Sequence, residues 1–134
     1  MIDWARKIHV KNAAELEIMR EAGRINATVH ETVKELLEPG VTTADLNAAA
    51  EEVLRKHNAI SPFKNYPGPY PFPASITICI NEELVHGIPS KKRKLKKGDI
   101  VSVDCGTLFE GFVADSAFSA GVGKISPLAK RLLE

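Results

Sequence analysis

Long apolar runs, strong net charge and a cysteine framework are all missing from this 134-residue sequence. No stretch approaches the roughly 18 consecutive apolar residues of a membrane-spanning helix, so the hydrophobic 44% is free to build one contiguous core. Eighteen Lys and Arg against 17 Asp and Glu leave a net charge of +1, which excludes the overall basicity of a general polyanion binder. The only two cysteines, Cys79 and Cys105, could in principle pair. Both lie in strand-like apolar stretches, where a free thiol behaves as a small hydrophobe, and reduced structural thiols are expected. Met1 to Lys7 lack the apolar stretch and small-residue cleavage site of a secretory signal. The expectation is a soluble, cytoplasmic protein folded as a single domain over residues 1–134.

What is present is periodic. Asn12 followed by Glu15 forms a helix-start signature. Leu16, Met19, Gly23, Val29, Val33 and Leu36 or Leu37 then recur at helical spacing until Pro39, which cannot continue the hydrogen-bond ladder. A first helix over about 12–38 is predicted. Thr42 or Thr43 caps a second, with a stripe of Leu46, Ala49, Ala50, Val53 and Leu54 that closes at Lys56-His57-Asn58.

From Ser61 to Pro73 five prolines exclude both helix and central strand, leaving an ordered or extended loop. Its four aromatics, Phe63, Tyr66, Tyr70 and Phe72, either anchor the loop on the core or wall a pocket. Ser75 to Ile80 reads as a strand, and residues 81–89 as a polar, glycine-containing turn. The run Lys91-Lys92-Arg93-Lys94-Leu95-Lys96-Lys97 reads as a solvated connection, because neither interleaved aromatics nor a basic helix accompanies it.

Ile100 to Phe109 alternates as a strand, and Phe112 to Val122 reads as its partner across Glu110-Gly111. If Phe109 faces Phe112, Asp104 lies opposite Ala117 and Asp115 opposite Gly106. Alternation then puts both carboxylates on one face, with Val103, Cys105, Phe109, Phe112 and Phe118 on the other. As diagonal neighbours the two aspartates are about 7 to 8 Å apart at the backbone. That suits a pair of cations roughly 3.5 to 4 Å apart. Asp is depleted in strands, and adjacent negative charges repel unless neutralised. An exposed sheet face with solvated or lysine-paired carboxylates is the plain alternative, and spacing alone leaves both open. Oxygen donors without a Cys or His cluster favour Mn²⁺, Co²⁺, Fe²⁺ or Mg²⁺ over a structural zinc site.

Three segments, Ile80 to Pro89, Gly98 to Asp104 and Gly111 to Ala117, resemble the type I methionine aminopeptidase motifs in order and spacing. The likeness extends through Met19-Arg20-Glu21-Ala22-Gly23 and covers nearly the whole chain. The resemblance implies an α+β (α/β) half of a pita-bread fold, two helices packed on an antiparallel sheet, the N-terminal half of the enzyme. It implies that Asp104 is a bidentate ligand of one metal and that Asp115 bridges two. His86 would be catalytic, touching the substrate or the tetrahedral intermediate; a lone histidine is otherwise more often structural, and only the motif around it shifts that reading. Phe63, Tyr66, Phe72 and Thr77 would lie near the pocket for the methionine side chain. The implied cofactors are divalent ions, Co, Mn, Fe or Zn, two per complete site. The remaining ligands, a histidine and two glutamates, and the glutamate acting on the bridging water belong to a second half. Ser126 to Glu134 opens a helix and stops with no cap or breaker at its end, so a fragment is expected.

The implied reaction is hydrolysis of the peptide bond after an N-terminal methionine in peptides and nascent proteins. A metal-binding or structural half-domain without turnover is the alternative. A silent binding module of the same fold is a third reading, against which Asp104 and Asp115 speak. The implied partners are the peptide N-terminus and either a second copy in a homodimer or the missing half, with no membrane and no nucleic acid.

Overall fold

A computed structural model of the chain describes residues 8–134; Met1 to Lys7, read above for the absence of an export signal, lie outside the described residues. Six elements follow in order: helices α1 (Ala13–Glu35) and α2 (Thr43–Lys56), strands β1 (Ile76–Ile80), β2 (Ile100–Phe109) and β3 (Phe112–Gly121), and helix α3 (Pro127–Leu133). Both long helices start in a capping box. The Glu15 N–H donates to Asn12 Oδ1 while the Asn12 N–H donates to Glu15, and Thr42 and Asp45 repeat the exchange.

Helix α1 stops at Glu35, short of position 38, because Pro39 disfavours helical backbone at Glu38 and the Leu36 N–H closes the last turn on Val33. Its buried stripe is Ala22, Ile25, Asn26, Val29 and Val33; Leu16, read as part of the stripe, is exposed, and of Leu36 or Leu37 it is Leu37 that packs against the core. A helix of this length spans roughly 35 Å, and none of its residues before Ala22 is buried.

The sheet is antiparallel in the order β1-β2-β3. Its hairpin closes at Glu110 and Gly111, with φ of 46° and 84°, the two left-handed residues that a two-residue type I′ turn demands. One face of the sheet packs on α1, and α2 packs on α1 and β1. Between them lie Ile25, Val29, Leu46, Ile76, Ile78, Val101 and Val103. Each of the larger of these contributes roughly 1.5–3 kcal/mol by leaving water. Cys79 and Cys105 are buried free thiols, and burial pushes the Cys105 thiol up to about 12.

The basic run is more than a solvated connection. Leu95 is buried, its N–H donating to the Val41 carbonyl, and Arg93 turns inward, so the exposed cations are the lysines between and beside them. Helix α3, capped by Ser126, touches β3 and leaves Leu128 and Leu132 exposed. Among the described residues no helix is long and apolar enough to cross a membrane.

Candidate active site

The hairpin register is the one that alternation dictates: Asp104 pairs with Ala117, Gly106 with Asp115 and Phe109 with Phe112. Strand β1 adds Thr77 opposite Asp104. Val103 and Cys105 enter the core, so Asp104, Asp115 and Thr77 occupy the opposite face.

A cavity of about 350 Å³ opens on that face. Asp104, Asp115 and Thr77 line it from the sheet, Phe63, Tyr66 and Phe72 from the proline-rich loop, and His86 from its rim. These are the seven positions singled out in the sequence, brought into one place. The fourth loop aromatic, Tyr70, does not line it and is exposed.

Gly106 explains how the loop reaches the carboxylates. A Cβ there would stand 2.7 Å from Pro62 Cγ and 2.9 Å from Phe63 Cε1, so only glycine lets the loop lie flush on β2. The loop is pinned at both ends. Ile60 and Leu108 exchange backbone hydrogen bonds, and the Ser61 hydroxyl donates to the Ser75 carbonyl at 2.6 Å. Across its tip the Asn65 N–H donates to the Phe72 carbonyl at 2.8 Å and the Phe72 N–H to the Tyr66 carbonyl at 3.1 Å. The aromatics therefore both anchor the loop and wall the cavity.

His86 is delivered by a second close approach. The Ile78 N–H donates to the Gly87 carbonyl at 2.9 Å, and a Cβ on Gly87 would lie 2.0 Å from the Ile78 carbonyl oxygen. His86 itself adopts φ 58°, an uncommon left-handed backbone held by this docking. Arg93 staples the segment down, donating to the Ile78 and Ile88 carbonyls and pairing with Glu83, whose carboxylate accepts from the Ile80 N–H. Sequence reasoning missed Arg93, Gly87 and Gly106 in these supporting roles; the only local signal was a cation inside a lysine run and two glycines beside candidate site residues.

Asp104 is half-buried and Asp115 exposed. Burial, and then the Asp115 charge, raise the Asp104 carboxyl above its ordinary value, while His86 opposes the rise. Among the described residues no lysine or arginine forms an ion pair with either carboxylate. Two like charges with no lysine or arginine paired to them, offering carboxylate oxygens, suit a hard or borderline divalent cation. No three His, Cys, Asp or Glu side chains converge into a full cage among the described residues, so Asp104 and Asp115 fit a metal as part of a ligand set.

The chain is similar to known methionine aminopeptidases in sequence and fold. The chain is 48% identical over 127 residues to the methionine aminopeptidase of Clostridium acetobutylicum, covering 95% of this chain and 50% of that protein. It is 49% identical over 124 residues to methionine aminopeptidase 1 of Bacillus subtilis, covering 92% and 48%. The crystal structure of methionine aminopeptidase from Thermotoga maritima matches the fold with a TM-score of 0.89 at 34% identity, covering 94% of this chain and 49% of that one. The chain thus spans about half the length of the curated relatives it matches, and three helices on a three-stranded antiparallel sheet correspond to half of a pita-bread fold. Residues 17–134 match metallopeptidase family M24, whose members use divalent metal ions; the chain belongs to that family.

Proposed function

We propose that these residues form the N-terminal half of a methionine aminopeptidase site, acting on the N-terminus of peptides and nascent proteins in the cytoplasm. The observation that carries the reading is a single cavity with two carboxylates on its sheet side and three aromatics on its loop side. Asp104 and Asp115 are its metal ligands, for Co, Mn, Fe or Zn. When bound, a pair of such ions supplies Lewis acidity, polarising a carbonyl and acidifying water.

The chain's own residues do the positioning. Phe63, Tyr66 and Phe72 present ring edges and faces suited to an unbranched, polarisable thioether, and Thr77 closes the floor beside Asp104. His86, exposed and lining the cavity, would contact the substrate or the tetrahedral intermediate. The absence of a three-ligand cluster among the described residues favours a second reading for the chain by itself, a metal-binding half without turnover. Completion comes from a second half or from a second copy of the chain.

Calorimetric titration with Co²⁺ tests the reading. The chain should bind Co²⁺, and Asp104→Asn and Asp115→Asn should each weaken binding by at least about tenfold. No binding, or equal binding by the variants, sinks it. Isolated monomer should release little or no methionine from Met-Ala peptides; robust metal-dependent release, lost in Asp104→Ala, would overturn the need for a second half.

A further inference from the structure

Behind the cavity, on the opposite face of the sheet, a polar network that runs from buried Asn26 and Thr107 through partly buried His30 to exposed Ser116 joins α1 to the two strands that carry Asp104 and Asp115. Asn26, 2% exposed, interrupts the apolar stripe of α1. Its amide nitrogen donates to the Cys105 carbonyl at 2.7 Å and to the Thr107 hydroxyl at 3.1 Å, gripping the residues on both sides of Gly106. Its amide oxygen accepts from the hydroxyl of Ser116, the residue after Asp115. One turn along, His30 Nε2 lies 3.0 Å from the Ser116 carbonyl oxygen and 2.9 Å from its hydroxyl, with the ring edge-on to Phe118 at 5.1 Å between centroids. The donors run one way, from the His30 N–H to Ser116, from the Ser116 O–H to Asn26, and from the Asn26 amide to β2. Among the described residues His30 Nδ1 is buried without a partner, so the ring's hydrogen bonding is confined to Ser116.

An amide is costly to bury unless its donors and acceptor are used, and here all are. What it braces is the strand pairing at Gly106. Gly106 has no side chain to pack in its strand, yet it cannot gain one because Pro62 and Phe63 press on it from the cavity side. The two carboxylates are diagonal neighbours across this Gly106–Asp115 pair, and a diagonal separation changes with local twist. We infer that Asn26, with Ser116 and His30, is a positioning group that fixes the Gly106–Asp115 pair from behind and so sets the separation of Asp104 and Asp115. The functional half of this inference rests on Asp104 and Asp115 being metal ligands; the brace itself does not.

The test uses the full chain as Asn26→Leu, Ser116→Ala, Ser116→Thr and Val29→Ala. Val29, equally buried on α1, is the control for lost stability without a lost brace. Two readouts are taken: Co²⁺ affinity with the visible spectrum of bound Co²⁺, and amide hydrogen exchange of the metal-free protein. Asn26→Leu should weaken Co²⁺ by about tenfold or more, within the range for groups that orient ligands, and should alter the Co²⁺ spectrum. It should also speed exchange selectively at residues 105–107 and 114–116. Ser116→Ala should follow it, Ser116→Thr should restore both readouts, and Val29→Ala should leave affinity and spectrum unchanged. If Asn26→Leu does not fold, the Ser116 pair carries the test, since it removes and restores one link. Equal losses in Asn26→Leu and Val29→Ala, exchange quickened uniformly over the sheet, or no restoration by Ser116→Thr would overturn the inference. If the unaltered chain binds no Co²⁺, the metal reading fails by itself, and selective or uniform exchange still decides the brace.

Discussion

Gly106→Ala puts the smallest possible side chain where the cavity wall meets the sheet. The added Cβ would lie 2.7 Å from Pro62 Cγ and 2.9 Å from Phe63 Cε1. Carbon atoms settle about 3.5–4.0 Å apart, so the loop must retreat by roughly 1 Å. It cannot do so freely, because Pro62 is rigid and the Ile60–Leu108 bridge and the Ser61–Ser75 hydrogen bond hold the loop beside it. Overpacking of this kind costs about 1–3 kcal/mol. Loss of glycine's freedom in the unfolded chain returns about 0.4–1 kcal/mol. A net loss of roughly 0.5–2 kcal/mol follows, which lowers Tm by roughly 2–8 °C in a domain of this size. Scanning calorimetry in EDTA measures it, with Gly23→Ala as the comparison: there the added atom meets nothing within 4 Å. An unchanged or raised Tm for Gly106→Ala would refute the claim that the loop is seated on β2 by a missing side chain.

The pH dependence of stability should carry a histidine signature. Burial holds His30 below its ordinary value of 6.5, against the opposing effects of Ser116 and Asp115, so the unfolded chain takes up this proton first. Its contribution is present above about pH 6.5 and lost as pH falls from there toward the folded value. Urea denaturation between about pH 7.5 and pH 5 should show a steeper loss for the unaltered chain than for His30→Gln, and equal slopes would count against it. Asp104, raised by burial and by Asp115, has the opposite sign: its contribution is present below about pH 3.9 and lost as pH rises through the folded value. Asp104→Asn should therefore raise the Tm of the metal-free chain near neutral pH while abolishing the further rise produced by Co²⁺; a lower Tm in EDTA would contradict this. If a second copy completes the site, Mn²⁺ should tighten self-association in sedimentation and Asp115→Asn should blunt that response. A chain strictly monomeric at high micromolar concentration with and without Mn²⁺ excludes it.

The hairpin was legible because its signals are local. Glu110-Gly111 supplies the turn chemistry and the alternation of Val101, Val103 and Cys105 supplies the face, so the placement of both aspartates follows from a stretch of about twenty residues. The capping box of α1 was legible for the same reason, whereas at α2 the cap read as Thr42 or Thr43 and its Asp45 partner was not foreseen. Partners distant in the chain were not legible. Nothing near Gly106 announces Pro62, and nothing near Gly87 announces the Ile78 carbonyl. Asn26 reads as an ordinary helical polar residue until β2 and β3 are laid against it. Arg93 is indistinguishable in sequence from the lysines around it, although it is the member of the run that bonds inward to two carbonyls. The overestimate at Leu16 has a different cause: helical periodicity marks a face but not how far along the helix the sheet extends.

The alternation that builds the core also protects the candidate site. On β2 the side chains of Val101, Val103, Cys105 and Thr107 are fully buried, while Ser102 and Asp104 between them face the other way. A slip of one residue would carry Asp104 into the apolar layer formed by Ile25, Val29 and Ile78 and expose the valines. Burying a carboxylate there without a partner costs several kcal/mol, comparable to the whole stability of a small domain. The register that places Asp104 beside Thr77 and across from Asp115's strand is thus enforced by the core, at positions that never touch the cavity. Substitutions at Val101 or Val103 should disturb stability and carboxylate geometry together. Those at Asp104 or Asp115 should change the site and leave the register intact. Gly106 belongs to both classes, since it holds the strand pairing on one side and seats the aromatic loop on the other.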